Sequence, residues 1–245
     1  MPPRFHSLEP LPRDGKFPLH VTLGESVAAH LRALRMVAGE MVTVFDGLGG
    51  EFTGVLDSIG KRDAVLMLAK HADSERESML AITLVQSLAT GDKMDWVVQK
   101  AVELGVTAIQ PVNSARANLK LSSERAAKRA DHWRGVVIAA CEQCGRNRLP
   151  EVRAVMEFSA WLQTPAEGTR LLLHPEGGKS LAQFATAAQP LSLLIGPEGG
   201  FDDRELALAQ KHGAQLATLG PRVLRTETAG LAALAVLQAV AGDLK

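Results

Sequence analysis

The sequence has only two cysteines in 245 residues and no apolar run that approaches the length of a transmembrane span. So few cysteines exclude a disulfide framework and are typical of a protein in the reducing cytosol. The opening residues, Met-Pro-Pro-Arg-Phe-His, lack the pattern of a secretory signal peptide. We therefore expect a cytoplasmic protein that does not bind a membrane.

Charge of one sign is not in excess either, because 27 Lys and Arg residues balance 27 Asp and Glu residues. Overall charge therefore does not indicate a nucleic-acid-binding protein. Residues 113–148 differ, with eight basic residues and only three acidic ones. Such a local excess is typical of a surface that contacts phosphate backbones, and a solvated helix face accounts for it equally well.

Apolar patterning divides the chain into two regions. Residues 1–72 contain two strands joined by a glycine-rich turn at 42–56, a third strand at 63–69 and a short helix at 27–36, which together predict a small β-barrel domain. Residues 71–78 are polar and non-periodic, as in a linker. In residues 73–245 strands alternate with helices, which predicts an α/β domain whose mostly parallel sheet is covered on its faces.

The elements predicted in this second region follow from apolar periodicity and capping residues. The predicted strands are 80–88, 106–112, 169–174, 191–195 and 214–219. The predicted helices are 92–104, capped by Asp92 and ended by Gly105, and then 122–144, 180–188, 203–212 and 226–240.

The segment Leu191–Asp202 is the most informative stretch of the chain. Residues 191–195 form a mostly apolar run, typical of a strand buried on both faces, and Gly-Pro-Glu-Gly-Gly follows directly. Ligands of open α/β sheets bind at the carboxyl ends of strands, and glycines let the backbone approach them closely. A plain turn needs one glycine, so three glycines, a proline and a glutamate favour a ligand site.

Two further strand ends have the same organisation, at residues 171–178 and 217–229. Each runs from an apolar strand into a loop that contains proline. If the three strands are neighbours, their loops converge on one pocket. Such a pocket suits a neutral or zwitterionic small molecule that carries an adenine.

Two short motifs suggest other chemistry and do not support it. Residues 177–180, Gly-Gly-Lys-Ser, resemble the end of a P-loop, but Leu173 stands where that loop requires its first glycine. Cys141 and Cys144 have no second ligand pair for zinc, and they end a long basic helix instead of following a strand as redox pairs do. We expect no metal site.

Residues 194–201 and 219–229 together resemble the SPOUT methyltransferases. Within that family the chain is similar to the RsmE group, which methylates N3 of a uridine in small-subunit (16S) ribosomal RNA. Residues 93–106 resemble the group's first helix, and 140–146 resemble its Glu-Gln-x-x-Arg segment. Arg4 and Phe5, with residues 30–35, match the start of its PUA-like RNA-binding domain. The resemblance covers nearly the whole chain.

The resemblance implies a trefoil-knotted parallel-sheet methyltransferase domain at 73–245 behind a PUA-like domain at 1–72. It implies S-adenosylmethionine as the cofactor, bound by the three loops and the helix that follows them. The residues implied are Leu173, His174, Pro175, Ile195, Gly196, Pro197, Glu198, Gly199, Gly200, Leu219, Gly220, Val223, Leu224, Thr228 and Ala229.

The resemblance also implies ribosomal RNA of the small subunit as a partner, and a homodimer through the knotted domain. The implied RNA contacts are Arg4, Arg35, Arg116, Lys120, Arg146 and Arg225. An arginine at the positive end of a helix dipole is unfavourable, so Arg225 is expected to serve a ligand, a phosphate or a uracil carbonyl. Catalysis would use Arg225 with Glu227, Glu198 and Glu142 as candidate bases or orienting groups, among which the sequence does not choose.

Two other functions compete with this interpretation. One is an RNA-binding assembly factor that keeps the fold and has lost the chemistry; the intact glycine loops with Arg225 and Glu227 argue against it. The other is a SPOUT enzyme acting on another RNA, such as a ribose 2′-oxygen of transfer RNA. The PUA-like start and the Glu-Gln-x-x-Arg segment favour the base methyltransferase.

Overall fold

The structure is a computed structural model that describes residues 2–118, 121–185 and 189–244. Contacts divide the chain into two compact units. The first is formed by residues 1–77 with 141–149, and the second by 78–140 with 150–245. The contribution of 141–149 to the first unit was not predicted, and the predicted domain boundary after residue 72 stays a prediction.

The first unit is built on a five-stranded sheet and one helix. Its elements are β1 (Arg4–His6), β2 (Leu19–Leu23), α1 (Glu25–Ala33), β3 (Met41–Phe45), β4 (Glu51–Ile59) and β5 (Ala64–Ala72). The strand order is β1-β3-β4-β5-β2, in which the β1–β3 pair is parallel and the others are antiparallel. The predicted hairpin is confirmed as β3 and β4. β1 and β2 were not predicted.

The core of this unit follows from alternation along its strands. Ala64, Leu66 and Leu68 point to the buried face of β5, where they meet Phe52 and Leu56 of β4. Side chains two residues apart share a face of a strand, so this pattern covers one side of the sheet with apolar groups. Leu31 of α1 is fully buried in the same core.

The second unit alternates strands and helices as predicted. Its elements are β6 (Ile82–Ser87), α2 (Lys93–Glu103), β7 (Ala108–Asn113), α3 (Ser123–Cys144, whose last four residues belong to the first unit), β8 (Glu151–Val152), β9 (Met156–Glu157), α4 (Phe158–Leu162), β10 (Thr169–Leu173), β11 (Lys179–Ser180), a 3-10 helix (Leu181–Phe184), β12 (Leu191–Ile195), α5 (Asp203–Lys211), β13 (Gln215–Thr218) and α6 (Thr226–Ala241).

All strands of the larger sheet pair in parallel, in the order β11-β13-β10-β12-β6-β7-β8, with β9 beside β7. The predicted α/β class with a parallel sheet is therefore confirmed. Every residue of β12 is buried, which confirms the strand predicted to be covered on both faces. The trefoil knot stays a prediction.

The adjacency of β13, β10 and β12 decides where the ligand loops meet. Leu172 of β10 lies opposite Leu194 of β12, and Leu173 lies opposite Ala217 of β13. Parallel neighbours end at the same edge of a sheet, so the three proline-containing loops leave from one place. The condition for the predicted convergence of the three loops, that their strands are neighbours, is therefore met.

Two local predictions in this unit are wrong. The helix predicted at 180–188 is replaced by the end of β11 and a 3-10 helix, in which only Leu181 is buried, and residues 186–188 lie outside the described part. Asp92 precedes α2 as expected, but its side chain makes no capping hydrogen bond. None of the helices that the structure describes is long and apolar enough to span a membrane.

Candidate active site

A cavity of about 530 Å³ lies in the second unit, where the loops after β10 and β12 meet the start of α6. This size falls in the range typical of small-molecule sites, ~300–1,000 Å³. Of the predicted cofactor residues, those that line it are Leu173, His174, Pro175, Ile195, Gly196, Pro197, Glu198, Gly199, Gly200, Val223, Leu224 and Ala229. A second cavity, of about 70 Å³, is lined by Leu219 and Gly220 and shares six of those residues. Thr228 lines neither cavity.

The glycine loop after β12 exposes its backbone to this cavity. A Cβ atom at Gly196 would lie 3.1 Å from the backbone nitrogen of Phe201, and one at Gly199 would lie 3.3 Å from Cβ of Arg116. Gly200 has a φ of 67°, a conformation that glycine adopts without steric cost. Side chains at these positions would strain or fill the loop, so the cavity wall here consists of main-chain amides and carbonyls.

A buried threonine ties this loop to the neighbouring elements. Thr226 Oγ1 donates to the carbonyl oxygen of Gly196 at 2.6 Å and accepts from Nε2 of Gln86 at 2.9 Å. Gln86 is fully buried at the end of β6, the strand beside β12. Three segments that are distant in the chain are therefore fixed at one point beside the cavity.

Glu198 is held by two residues that precede or begin α2. Its Oε1 accepts from Nζ of Lys93 at 3.0 Å, and from the backbone nitrogen and hydroxyl of Thr90 at 3.3 and 3.0 Å. Burial alone would raise the pKa of Glu198, but these hydrogen bonds, together with one from its own backbone N–H, lower it to about 2. Ion pairing with Glu198 in turn raises the pKa of Lys93. Both groups are charged at neutral pH.

Glu227 lies on the other side of Lys93, in the first turn of α6. Its Oε2 is 3.7 Å from Nζ of Lys93, and the side chain is 20% exposed. That oxygen is buried, and within the described ranges no group donates a hydrogen bond to it. Lys93 thus joins two carboxylates that both line the cavity.

Two arginines predicted to contact RNA also line the cavity. Arg116 Nη1 donates to the carbonyl oxygen of Gly199 at 3.1 Å. Arg225 is the exposed residue that precedes α6, and its side chain does not cap the helix. The cavity therefore contains cationic groups beside the carboxylates of Glu198 and Glu227.

Glu142, the third predicted carboxylate, lies in the first unit and does not line either cavity. Its Oε1 accepts from the backbone nitrogen of His6 at 3.0 Å, and its Oε2 is 3.7 Å from Nδ1 of His30. Burial raises the pKa of Glu142, partly offset by the hydrogen bond from His6. Glu142 is therefore not among the residues that line the cavity with Glu198 and Glu227.

Two further arginines predicted to bind RNA are buried in the first unit. Arg4 Nη1 donates to Glu51 at 2.6 Å, and its Nη2 donates to Asn147. Arg146 donates from Nε to Glu77 at 3.0 Å and from Nη2 to the other oxygen of that carboxylate. Their side chains are 7% and 6% exposed, so an RNA contact by either would require these pairs to open.

Arg35 is exposed at the end of α1 and has a φ of 58°, in the left-handed region where glycine usually ends a helix. Lys120 lies outside the described residues.

The two cysteines differ in exposure, and only Cys144 is accessible. Cys141 is fully buried, and burial raises the pKa of its thiol to about 12. Both cysteines are free. In the part of the chain that the structure describes, no cluster of three or more His, Cys, Asp or Glu is placed to hold a metal ion.

Sequence reasoning did not assign a site role to Lys93, Thr90, Thr226 or Phe201. Lys93 lies 105 residues from Glu198, and Thr226 lies 30 residues from Gly196. Their types and positions are ordinary for helix starts and loops. Lys93, Thr226 and Phe201 had a signal, because each lies in a segment that carries the family resemblance; Thr90 had none.

Comparisons with known proteins agree with this geometry. Residues 76–238 match the family described as RNA methyltransferase domain, and residues 23–66 match the RNA methyltransferase PUA domain. The parallel sheet and these two matches define the class of the protein. It is an RNA methyltransferase in whose sequence a PUA domain precedes the methyltransferase domain.

Particular relatives define the family more narrowly. Ribosomal RNA small subunit methyltransferase E of Buchnera aphidicola (subsp. Schizaphis graminum) is 32% identical over 91% of this chain and 92% of that protein. Its Bacillus subtilis counterpart is 31% identical over 87% of each chain. The crystal structure of the Neisseria gonorrhoeae protein of that name, bound to S-adenosyl methionine, is 40% identical with full coverage of both chains and a TM-score of 0.93. This chain belongs to the ribosomal RNA small subunit methyltransferase E family.

Proposed function

We propose that this protein transfers a methyl group from S-adenosylmethionine to N3 of one uridine in small-subunit (16S) ribosomal RNA. The observation that carries the proposal is the cavity at the ends of β10 and β12, which brings twelve of the expected cofactor residues together with Arg225 and Glu227. Its partners would be ribosomal RNA or the small subunit. The corresponding location is the cytoplasm.

The cavity fits the cofactor in size and chemistry. Its main-chain wall at Gly196–Gly200 offers peptide donors and acceptors to an adenine, and Leu173, Ile195 and Leu224 supply apolar surface. The buried Oε2 of Glu227, to which no described group donates a hydrogen bond, remains as an acceptor for an N–H of the substrate. Two solved relatives support the assignment: the Neisseria gonorrhoeae structure, and a Legionella pneumophila methyltransferase with bound cofactor SAM, 37% identical with full coverage and a TM-score of 0.93.

The protein's contribution to the reaction is positioning and charge. When bound, S-adenosylmethionine supplies a methyl group that is already activated by its sulfonium. N3 of uracil becomes a good nucleophile only as its proton leaves, so a carboxylate of the cavity that faces that proton would speed the reaction as a general base. Arg225 would hold a phosphate or the uracil carbonyl, where negative charge develops as N3 loses its proton. Holding the two reactants in line lowers the barrier further.

RNA binding would use the exposed cations of the second unit. Arg116 and Arg225 line the cavity, and Arg125 and Arg129 are exposed on α3. We also propose that the chain acts as a symmetric homodimer, which is the commonest type of oligomer. The dimer would form through the methyltransferase domain, which contains the parallel sheet. The apolar α6 carries few charges, as an interface helix should.

The test is a map of modified uridines in ribosomal RNA from cells that lack this gene. Loss of a single 3-methyluridine from small-subunit RNA, restored by the wild-type gene and not by Arg225→Ala, is the expected result. An unchanged map would contradict the proposed substrate. In that case, calorimetric titration with S-adenosylmethionine would still separate an enzyme acting on another RNA from a protein that binds no cofactor.

A further inference from the structure

The cavity contains two carboxylates that differ in what surrounds them. Oε1 of Glu198 accepts three hydrogen bonds, two from Thr90 and one from Lys93. The pKa of about 2 that follows from these bonds makes Glu198 a weak proton acceptor at neutral pH. Glu227 has a buried Oε2 that receives no hydrogen bond from any described group.

We infer that Glu227 accepts the N3 proton of the target uridine, and that Lys93, held by Glu198, is the positioning residue that directs it. This inference rests on the proposed function and assigns separate roles to residues at that site. A carboxylate oxygen that is buried without a donor retains full acceptor capacity for a ligand N–H. Glu227 is also the one of the three candidate bases that lines the cavity with such an oxygen.

The step balances without any further reactant. The uracil N3–H bond breaks and its proton passes to Oε2 of Glu227. The N3–CH₃ bond forms while the carbon–sulfur bond of the sulfonium breaks, leaving its electron pair on a neutral thioether. Water then takes the proton from Glu227 after the product leaves.

The role of Lys93 follows from its two contacts. Its ammonium is 3.0 Å from Glu198 Oε1 and 3.7 Å from Glu227 Oε2. The longer contact is an ion pair without a hydrogen bond, so it orients Glu227 by charge and leaves the acceptor lone pairs of its buried Oε2 unused by any described donor. Without the ammonium, the carboxylates of Glu198 and Glu227 would repel each other. No positive charge of Lys93 would then hold the Glu227 side chain in its orientation.

The experiment compares Glu227→Gln, Glu198→Gln, Lys93→Met and Lys93→Arg with matched controls on the ion pair Lys100–Glu103. That pair lies on the same helix, has similar exposure and does not line the cavity. Single-turnover methylation of small subunits from cells lacking the gene gives the rate. Calorimetry gives the affinity for S-adenosylmethionine, and thermal unfolding reports whether each variant folds.

For Glu227→Gln we expect the single-turnover rate to fall ~10²–10⁴-fold, the usual contribution of a general base. Cofactor affinity should stay within about threefold of wild type, because the base acts on the RNA. The residual rate should rise with pH more steeply than that of wild type, because the uracil must then ionise without help. Lys93→Met should slow the reaction at unchanged cofactor affinity, and Lys93→Arg should restore part of the rate.

Two results would overturn the inference while leaving the proposed function intact. One is a Glu227→Gln rate close to wild type, with Glu198→Gln slow and its cofactor affinity unchanged. The other is a Glu227→Gln variant that binds S-adenosylmethionine poorly and turns over normally at saturation, which would assign Glu227 to the cofactor. If wild-type protein binds the cofactor but leaves the small subunit unmethylated, the proposed function itself fails, and the inference fails with it.

Discussion

Thr226 Oγ1 donates a 2.6 Å hydrogen bond to the carbonyl oxygen of Gly196, which joins the first residue of α6 to the loop after β12. The same hydroxyl accepts from Gln86. Both partners lose their bond in Thr226→Val, so we expect the free energy of unfolding to fall by about 1–3 kcal/mol and cofactor affinity to weaken. Urea unfolding and calorimetric titration measure the two effects. Thr226→Ser, which keeps the hydroxyl, should restore most of both; equal losses in the two variants would contradict this account.

The ion pair at Glu198 predicts a pH-dependent contribution to stability. The pKa of Glu198 in the folded protein is about 2, below the ordinary value of 4.5 for this carboxyl group. A depressed carboxyl pKa stabilises the fold above the ordinary value, and the contribution is lost as pH falls from 4.5 towards 2. The difference in unfolding free energy between wild type and Glu198→Gln should therefore shrink between about pH 6 and about pH 3. A difference that is constant with pH would show that Glu198 is not ionically anchored.

Arg225→Ala should abolish methyl transfer and leave the affinity for S-adenosylmethionine largely intact. The guanidinium is exposed and does not cap α6, so its removal costs the fold little. Methylation of small subunits and cofactor titration measure the two properties. Arg204→Ala, an exposed arginine on α5, is the matched control and should behave as wild type. Normal turnover in Arg225→Ala would remove this residue from the mechanism.

We expect substitution of Arg146 to lower the free energy of unfolding, and to affect RNA binding only through that loss. Its guanidinium is buried against both oxygens of Glu77, so Arg146→Met leaves that carboxylate without this partner. We expect a loss of about 2–3 kcal/mol, less than for a fully enclosed pair because the Glu77 side chain is 23% exposed. Urea unfolding measures it, and the double variant with Glu77→Gln should recover part of the loss. Unchanged stability together with weaker RNA binding would favour the direct RNA contact instead.

Alkylation should distinguish the two cysteines. Cys141 is fully buried and its thiol pKa of about 12 keeps it protonated, whereas Cys144 is partly exposed. Iodoacetamide at about pH 8 should therefore modify native protein once per chain, at Cys144, because only thiolates react quickly. Mass spectrometry of peptides identifies the site, and urea-unfolded protein should take two labels. Native labelling of Cys141 would show that this part of the first unit opens.

Much of the fold was predictable because its strands and helices carry their own patterns. The apolar run of β12 identifies a strand covered on both faces, and Gly105 ends α2 with a φ of 78° as a terminal glycine should. β8 and β9 have two residues each and no periodicity of their own. They exist because β7 offers them backbone partners, which local sequence does not reveal.

The candidate site, like the fold, was predictable from the sequence only in part. The amino-acid sequence by itself determined that three strands end in proline-containing loops, that one loop is rich in glycine, and that Arg225 and Glu227 begin a helix, since these depend on local residue types. Only the tertiary structure decided that β13, β10 and β12 are neighbours, that Lys93 reaches Glu198 across 105 residues, and that Arg146 is buried on Glu77. The physical reason is that partners of buried charges are selected by packing between distant segments, and no local pattern encodes that selection.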